Sequence, residues 1–233
     1  SLLSLGFWVS DHRHNKKLSF LFFLFALMSK PMAVTLPVVM MLLDIYPLKR
    51  YKSLKDFGAL ITEKWYFLLL SLVVGLLTLT TQQTAMASLQ NLPISVRVLN
   101  AIHNSWFYVG NYLQPINLSP FYPYPRDIAL FTKLSFWLPG LLFLSVSLIA
   151  AWMLWLRNIR WPALCLVFYL VTLAPVSGLI QVGPARALDY YVYFATLPLG
   201  TLIVLGSYGV IDRLPQLRLP TVAVSLFVLL GLV

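Results

Sequence analysis

Long apolar segments without charged side chains are the feature that most constrains how this chain folds. Such segments cover 65–81, 134–156, 161–180, 190–211 and 220–233. A helix that spans a membrane needs about 20 apolar residues. The 233-residue chain is 60% hydrophobic and 10% charged, whereas soluble domains have about 45–50% apolar and about 25% charged residues. An ordinary soluble domain is therefore excluded, and an integral membrane protein with several spans is predicted.

The basic residues lie in short loops beside the apolar segments. The net charge is +10, from 17 Lys and Arg against 7 Asp and Glu. Cytoplasmic loops of membrane proteins carry such an excess of Lys and Arg. We therefore expect the basic loops to face the cytoplasm, and no nucleic-acid partner. The clustered bases are Arg13, Lys16, Lys17, Lys49, Arg50, Lys52, Lys55, Lys64, Arg157, Arg160, Arg213 and Arg218.

The charge distribution predicts a topology for the whole chain. The apolar stretch 18–46 has basic loops on both sides and is interrupted by Ser29-Lys30-Pro31. A hairpin of two short helices keeps both loops on one side, so we expect one broken-helix hairpin there. The remaining spans then cross alternately and leave 82–133 outside as one long external segment. The predicted fold is an all-α, polytopic transmembrane helical bundle, with spans at 65–81, 134–156, 161–180, 190–211 and 220–233.

One amphipathic helix is predicted within the external segment, over 94–113. Its apolar positions fall on one face of a helix and its polar positions on the other. Such a helix either lies at the membrane surface or lines a wet cavity. The apolar face comprises Val98, Leu99, Ile102, Trp106, Val109 and Leu113, and the polar face Arg97, Asn100, Asn104, Tyr108 and Asn111.

Both ends of the chain indicate an internal fragment of a longer membrane domain. Residues 1–9 are typical of the end of a span, and the last stretch stops inside the apolar segment 220–233. No basic n-region or small-residue cleavage site of a signal peptide is visible at the start. We expect further spans before Ser1, and targeting that resides in the spans or upstream.

Lys30 is the first candidate functional residue. A charged side chain inside an apolar hairpin costs about 2.5–3.5 kcal/mol on insertion scales unless it meets an anion, water or a partner. A phosphate is one such anion. The alternative is a lysine whose flexible stem carries the ammonium group to the nearest interface.

A second candidate is the segment 181–193, at the external mouth between two predicted spans. Arg186 and Asp189 are three residues apart and would pair on a shared helix face. Tyr190 and Tyr193 add hydroxyl groups and flat surfaces that suit a sugar or a lipid headgroup. The alternative is an aromatic belt with one ion pair.

Other polar residues are weaker candidates. Gln82 and Gln83 end the span 65–81 and offer amide groups at the same mouth, although polar fraying of a helix end is the favoured explanation when they are taken alone. His103 lies beside the polar face of 94–113 and titrates near neutrality. Asp44 and Glu63 are explained by capping and local pairing. No phosphate-binding glycine loop, nucleophile elbow or zinc-ligand spacing is present, so no metal site is predicted.

Several stretches together resemble a known family. The segment 29–37, SKPMAVTLP, and the segment 43–48, LDIYPL, resemble the SKPMxVTLP…LLDxxPL pattern of bacterial membrane proteins that carry tetratricopeptide repeats after a glycosyltransferase-like membrane domain. The stretch QVG at 181–183, with Asp189 and Tyr193, is similar to the family's QVG…ADRYxYLP pattern. The resemblance covers roughly residues 27–200. Glu63-Lys64, Gln82-Gln83, Pro93, Arg97 and Tyr122-Pro123 follow in the family's order.

The resemblance implies a multi-span enzyme of the GT-C class, in the bacterial inner membrane. These proteins are similar to the eukaryotic transmembrane O-mannosyltransferases with tetratricopeptide repeats. Members of the class transfer a sugar from a polyprenyl-phosphate donor to a hydroxyl of a protein or glycan acceptor outside the cytoplasm. No further cofactor is implied, and the need for a divalent metal stays open.

Site residues follow from the same resemblance. Lys30, Arg97 and Arg186 would bind the donor phosphate, and the remaining candidates would line the substrate cavity. The family usually has Arg where this chain has Tyr190, which would shift the cationic role to Arg186. The acidic base of the class belongs to a first external loop, expected before Ser1. The cavity residues are Gln82, Gln83, His103, Asp189, Tyr190 and Tyr193.

Two other functions are alternatives to transfer chemistry. The alternative to an enzyme is a non-catalytic membrane scaffold or envelope-assembly protein of the same architecture, which the Tyr190 departure favours. A transporter would show internal repeats with paired broken helices. The sequence has one broken hairpin, so transport is the weakest of the three functions.

Overall fold

The computed structural model describes residues 1–10, 13–50, 54–81, 92–116, 118–124, 127–179, 185–189 and 192–213. About 80% of these residues are helical, which confirms the all-α class at this coarser level. The chain divides into two compact units, Ser1–Met86 and Ala87–Val233. The predicted span 220–233 and the candidates Gln82, Gln83 and Tyr190 lie outside the described residues.

The first unit begins with two helices that are joined by reciprocal hydroxyl contacts. Ser4 Oγ donates to Ser19 O at 2.8 Å, and Ser19 Oγ donates to Ser4 O at 2.8 Å. Both serines are fully buried, so the two apolar helices share a small polar contact. The described helices of this unit are α1 (Leu2–Val9), α2 (Arg13–Ser29), α3 (Leu36–Ile45), α4 (Leu54–Glu63) and α5 (Trp65–Thr81), with a 3₁₀ turn over Pro31–Thr35.

The break between α2 and α3 occurs at Lys30. Its backbone is extended, with φ −147° and ψ 124°. The ring of Pro31 disfavours the helical conformation for the residue before it, so α2 ends at Ser29. The two helices are thereby separated by an exposed lysine and a 3₁₀ turn.

Aromatic side chains form the core of the first unit. Phe67 of α5 is fully buried. Its ring centroid lies 5.1 Å from that of Phe23, 5.3 Å from that of Phe20 and 5.8 Å from that of Trp8. These pairs lie in the range of favourable aromatic contacts, and they join α1, α2 and α5.

The second unit combines helices with a short two-stranded ribbon. Strand β1 (Tyr122–Pro123) pairs antiparallel with β2 (Ala185–Ala187), with Tyr122 opposite Ala187. The sequence patterns predicted helices and loops only, so the ribbon is an additional finding. The described helices are α6 (Ile94–Leu113), α7 (Leu134–Leu156), α8 (Trp161–Leu173) and α9 (Tyr193–Arg213), with 3₁₀ turns over Ile128–Thr132 and Ala174–Val176.

Helices α6 and α7 approach each other closely at Gly140. A Cβ atom on Gly140 would lie 1.9 Å from the carbonyl oxygen of Ile102. Only a glycine permits this approach of the two backbones. One turn further along each helix, the rings of Trp106 and Phe143 lie 5.8 Å apart.

Helix α7 exposes most of its large apolar side chains. Among the described residues it is the one helix that is long and apolar enough to cross a membrane. Its single buried residue is Gly140. Shorter apolar helices cover Met32–Ile45, Trp65–Thr81, Trp161–Val176 and Tyr193–Tyr208. The large side chains that α7 exposes include Leu142, Val146, Leu148, Ile149, Trp152, Met153 and Leu156.

Helix α6 turns its polar face towards the protein. Asn100 and Asn104 are fully buried, and Tyr108 is 1% exposed. On the opposite face, Val98 and Trp106 are each 40% exposed. Val96 and Val109 are buried as well. The buried asparagines and exposed Trp106 are nevertheless the reverse of the pattern in a helix of a water-soluble protein, whose apolar stripe faces the core.

Candidate functional site

Two asparagines of α6 hold the backbone of Arg186 in place. Asn104 Nδ2 donates to Arg186 O at 3.0 Å, and Asn100 Nδ2 donates to the same oxygen at 3.2 Å. Asn104 Nδ2 also donates to Ser177 O at 2.8 Å. Gly178, at φ +96°, passes so close that a Cβ there would lie 2.2 Å from Asn100 Nδ2. The two asparagines of α6 therefore hold the backbone at both Arg186 and Ser177.

The guanidinium group of Arg186 lies among aromatic rings. Its Cζ is 4.8 Å from the ring centroid of Phe107 and 5.8 Å from those of Tyr122 and Phe136. Burial lowers the pKa of Arg186, and the neighbouring tyrosines partly offset this effect. Arginine nevertheless stays protonated in proteins. Its buried Nη1 has no hydrogen-bond partner among the described residues, which leaves a cation suited to an incoming anion.

The carboxylate of Asp189 accepts three hydrogen bonds, all from groups other than Arg186. Its Oδ2 accepts from Tyr122 Oη at 2.8 Å and from Ser119 N at 3.2 Å. Its Oδ1 accepts from Asn111 Nδ2 at 3.1 Å. The sequence suggested a pairing of Asp189 with Arg186 on one helix face, but Arg186 lies on β2. The carboxylate instead joins the loop before β1 to α6, and so positions Tyr122 beside Arg186.

His103 shares its aromatic surroundings with Arg186. Its ring is stacked on Phe136 at 3.9 Å and on Phe107 at 5.6 Å between centroids, and its Nδ1 is 2.7 Å from Phe136 O. Burial lowers the pKa of His103; the bond to Phe136 O opposes the shift and the charge of Arg186 adds to it. The buried Nε2 has no hydrogen-bond partner within the described ranges.

The hydroxyl group of Tyr124 is affected by the charges of two arginines, Arg97 and Arg186. Burial raises the pKa of its hydroxyl, while the charges of Arg97 and Arg186 both act in the opposite direction. Its Oη is buried and, in the described part of the chain, has no hydrogen-bond partner. Arg97 itself donates from Nε to Leu92 O at 3.0 Å. Two cations and an unsatisfied hydroxyl therefore lie in one region of the second unit.

The structure brings together four of the residues that the sequence suggested. His103 and Arg186 share the rings of Phe107 and Phe136, and Asp189 is joined to Arg186 through Tyr122. The charge of Arg97 acts on Tyr124 in the same unit. Tyr193 lies at the first residue of α9 with 74% of its surface exposed. Lys30 belongs to the first unit and is exposed at the break between α2 and α3.

Sequence reasoning missed a charged cluster around Trp8. Asp44 and Lys64 are both fully buried and form an ion pair. Trp8 Nε1 donates to Asp44 Oδ1 at 3.1 Å, Arg50 Nη1 lies 3.4 Å from the same oxygen, and Lys64 Nζ lies 4.5 Å from the Trp8 ring. In the sequence, Asp44 and Lys64 are recognisable only as an acid and a base that each adjoin an apolar segment. Capping and local pairing were expected there. Lys64 Nζ does lie 3.5 Å from Glu63 Oε2, but it also pairs with Asp44 across 20 positions of sequence.

Asn100 and Asn104 were predicted only as part of a polar face. Their side-chain Oδ1 atoms are buried and lack hydrogen-bond partners among the described residues. Their spacing of one helical turn placed them on one side of α6, but the carbonyl that they hold lies more than 80 residues further along the chain.

No protein-family model, curated protein or solved structure matches the chain. Within the described ranges, no group of three or more His, Cys, Asp and Glu side chains is arranged to hold a metal ion. The interpretation of the site therefore depends on its geometry and on the motifs in the sequence.

Proposed function

We propose that this chain is part of a membrane glycosyltransferase of the GT-C type, similar to the mannosyltransferases, that takes a sugar from a polyprenyl-phosphate donor. The acceptor is a hydroxyl of a protein or glycan on the extracytoplasmic side. The observation that carries the proposal is Arg186, a half-buried cation among aromatic rings whose Nη1 lacks a hydrogen-bond partner among the described residues. The family resemblance of 29–37 and 43–48 supplies the reaction class.

The membrane part of the proposal is supported by the apolar surfaces of three helices. Large apolar side chains are exposed on α5, α7 and α9, for example Leu72, Val146 and Val204. In water, large exposed apolar patches are rare on monomeric proteins. We propose that the chain is a multi-pass protein of the bacterial inner membrane, with lipid covering these faces in a polytopic helical bundle.

The chemistry of transfer requires a cation beside the leaving group. When the bond between the sugar and the lipid phosphate breaks, negative charge develops on the phosphate, and positioned donors stabilise it. Arg186 offers a fixed guanidinium group, which binds phosphate oxygens with two parallel hydrogen bonds. Arg97 adds a second positive charge near Tyr124.

Donor binding tests this proposal directly. In the detergent-solubilised full-length protein, Arg186→Gln removes a charge-assisted contact worth about 1.5–3 kcal/mol. The Kd for polyprenyl-phosphate mannose should therefore rise roughly tenfold to a hundredfold. Arg186→Lys should retain part of the affinity, because the charge survives while the planar geometry is lost.

The matched control is Arg157→Gln, which removes an exposed arginine at the end of α7. It should leave the Kd unchanged. Unchanged donor binding in Arg186→Gln at normal protein yield would refute the phosphate site. Protein yield and thermal stability are recorded for every variant, so that loss of folding is separated from loss of binding.

A further inference from the structure

The loop between α6 and β1 exposes large apolar side chains. Its described residues are 114–116 and 118–121. Ile116 is 73% exposed, Leu118 51% and Phe121 44%. Three such side chains within six consecutive positions form an apolar surface of the kind that marks contact with a membrane or a partner.

The backbone of this loop makes its hydrogen bonds within the protein. Four of its N–H groups donate to protein oxygens, and its two prolines have no N–H group to donate. A non-helical segment that enters a medium poor in water needs internal partners of this kind. The four bonds run from Gln114 N to Gly110 O at 2.8 Å, Ile116 N to Gln114 O at 2.8 Å, Ser119 N to Asp189 Oδ2 at 3.2 Å and Phe121 N to Ser119 Oγ at 3.3 Å.

The sequence around the loop carries no charged side chain. Residues 98–125 contain no Asp, Glu, Lys or Arg, but they contain seven Trp, Tyr and Phe residues. Tyr and Trp are enriched where a membrane meets water, whereas an interface with another protein has a polar rim. The composition therefore favours lipid as the partner of the exposed side chains.

The apolar surface of the loop continues one face of α6. Four exposed apolar residues of α6 are separated by four, eight and seven positions, so they lie on one side of the helix. The loop begins directly after the last of them, and Asn111 Nδ2 donates to Tyr122 Oη at 3.3 Å. Both ends of the loop therefore stay at the end of α6. The four residues are Ile94, Val98, Trp106 and Leu113.

We propose that Ile116, Leu118 and Phe121 insert into the interfacial region of the outer leaflet, with phospholipid as their partner. This inference rests on the multi-pass membrane placement in the proposed function and is independent of the reaction. The carboxylate of Asp189 binds both the loop and α6. The lipid contact would thereby fix the depth of the loop and of β1, which follows it.

Depth-dependent fluorescence quenching tests the contact in the full-length protein, reconstituted in liposomes of phosphatidylcholine and phosphatidylglycerol. In a background with Cys165→Ser, a fluorophore is attached to Ile116→Cys. Nitroxides near the lipid headgroups should quench it more than nitroxides deep in the acyl chains, and the ratio should place it about 5–10 Å into the interface. Aqueous iodide should quench it weakly. Thr132→Cys, an exposed position before α7, is the control that iodide should quench.

A change within the loop gives a second readout. Leu118→Asp places a charge among the inserted side chains, so iodide quenching of the Ile116 label should increase. Leu118→Met keeps the apolar character and should leave the depth of the label unchanged. Because Leu118 is exposed, both variants should fold with normal yield.

Val146→Cys, at an exposed position of α7, separates failure of this inference from failure of the membrane placement. Deep nitroxides should quench its label most strongly. If they do, but the Ile116 label is quenched by iodide alone, the loop lies in water and the inference is wrong. An Ile116 label shielded from both iodide and nitroxides would indicate a protein partner and would equally overturn it. Absence of lipid quenching at both positions would refute the membrane placement itself.

Discussion

At the residue scale, the pair of Asp44 and Lys64 is the least expected feature of the molecule. Both side chains are fully buried, and Trp8 packs on the ammonium group while it donates to the carboxylate. Breaking a buried pair by removing one charge leaves the other uncompensated, which costs about 3–5 kcal/mol. The pair therefore stabilises the first unit only as long as both charged side chains are present.

A double-mutant cycle tests this. Asp44→Asn and Lys64→Met should each lower the free energy of unfolding strongly, and the double variant should recover much of the loss. The measurement is denaturant or thermal unfolding in detergent. Arg157→Gln serves as the control, because this arginine is exposed at the end of α7 and surface charges contribute about 0–1 kcal/mol. Additive losses in the double variant would contradict the expectation.

The residues of the candidate site were predictable from sequence only in part. Arg97, Arg186 and His103 stand out because charged or titratable side chains are rare in so apolar a chain. Their partners do not stand out. Phe107 and Phe136 are ordinary apolar residues in sequence, and their role depends on α6, α7 and β2 coming together, which short-range patterns do not encode.

At the scale of elements, the contact of α6 with α7 depends on Gly140. A methyl group there would meet the backbone of Ile102, which cannot move aside as a side chain can. Gly140→Ala should therefore reduce the free energy of unfolding by about 1–3 kcal/mol. Gly110→Ala on α6 is the matched control, because nothing lies within 4 Å of its Cβ position, and it should stabilise by about 0.5–1 kcal/mol. Thermal unfolding in detergent measures both changes.

Helix positions could be read from the sequence far better than the ribbon. The described helices α5, α6 and α7 have the bounds 65–81, 94–113 and 134–156, because charges and prolines delimit these apolar or amphipathic segments. The β1–β2 ribbon pairs Tyr122 with Ala187. Its strands are two and three residues long, too short for a recognisable alternation. Helices α7 and α8 lie between them in sequence, so short-range patterns do not reveal the pairing.

At the scale of the whole molecule, the proposed topology places the two ends of α7 on opposite sides of the membrane. Thr132, before α7, and Asn158, after it, are both exposed. In a background where Cys165, the single cysteine, is replaced by Ser, a cysteine at Thr132 should react with an impermeant thiol reagent in spheroplasts. A cysteine at Asn158 should react only after the membrane is permeabilised. Equal labelling of both in intact spheroplasts would refute the topology.

The outward apolar side chains of α6 also indicate at which level of the membrane the candidate site lies. With Val98 and Trp106 outward and Asn100 and Asn104 inward, the outer face of this helix is suited to lipid and its inner face to Arg186. On the proposed topology, α6 then rests at the headgroup level of the outer leaflet, where aromatic side chains such as Trp106 are favoured. The phosphate of a lipid-linked donor lies at that same level. The donor would thus reach Arg186 by lateral diffusion within the leaflet, without leaving the bilayer.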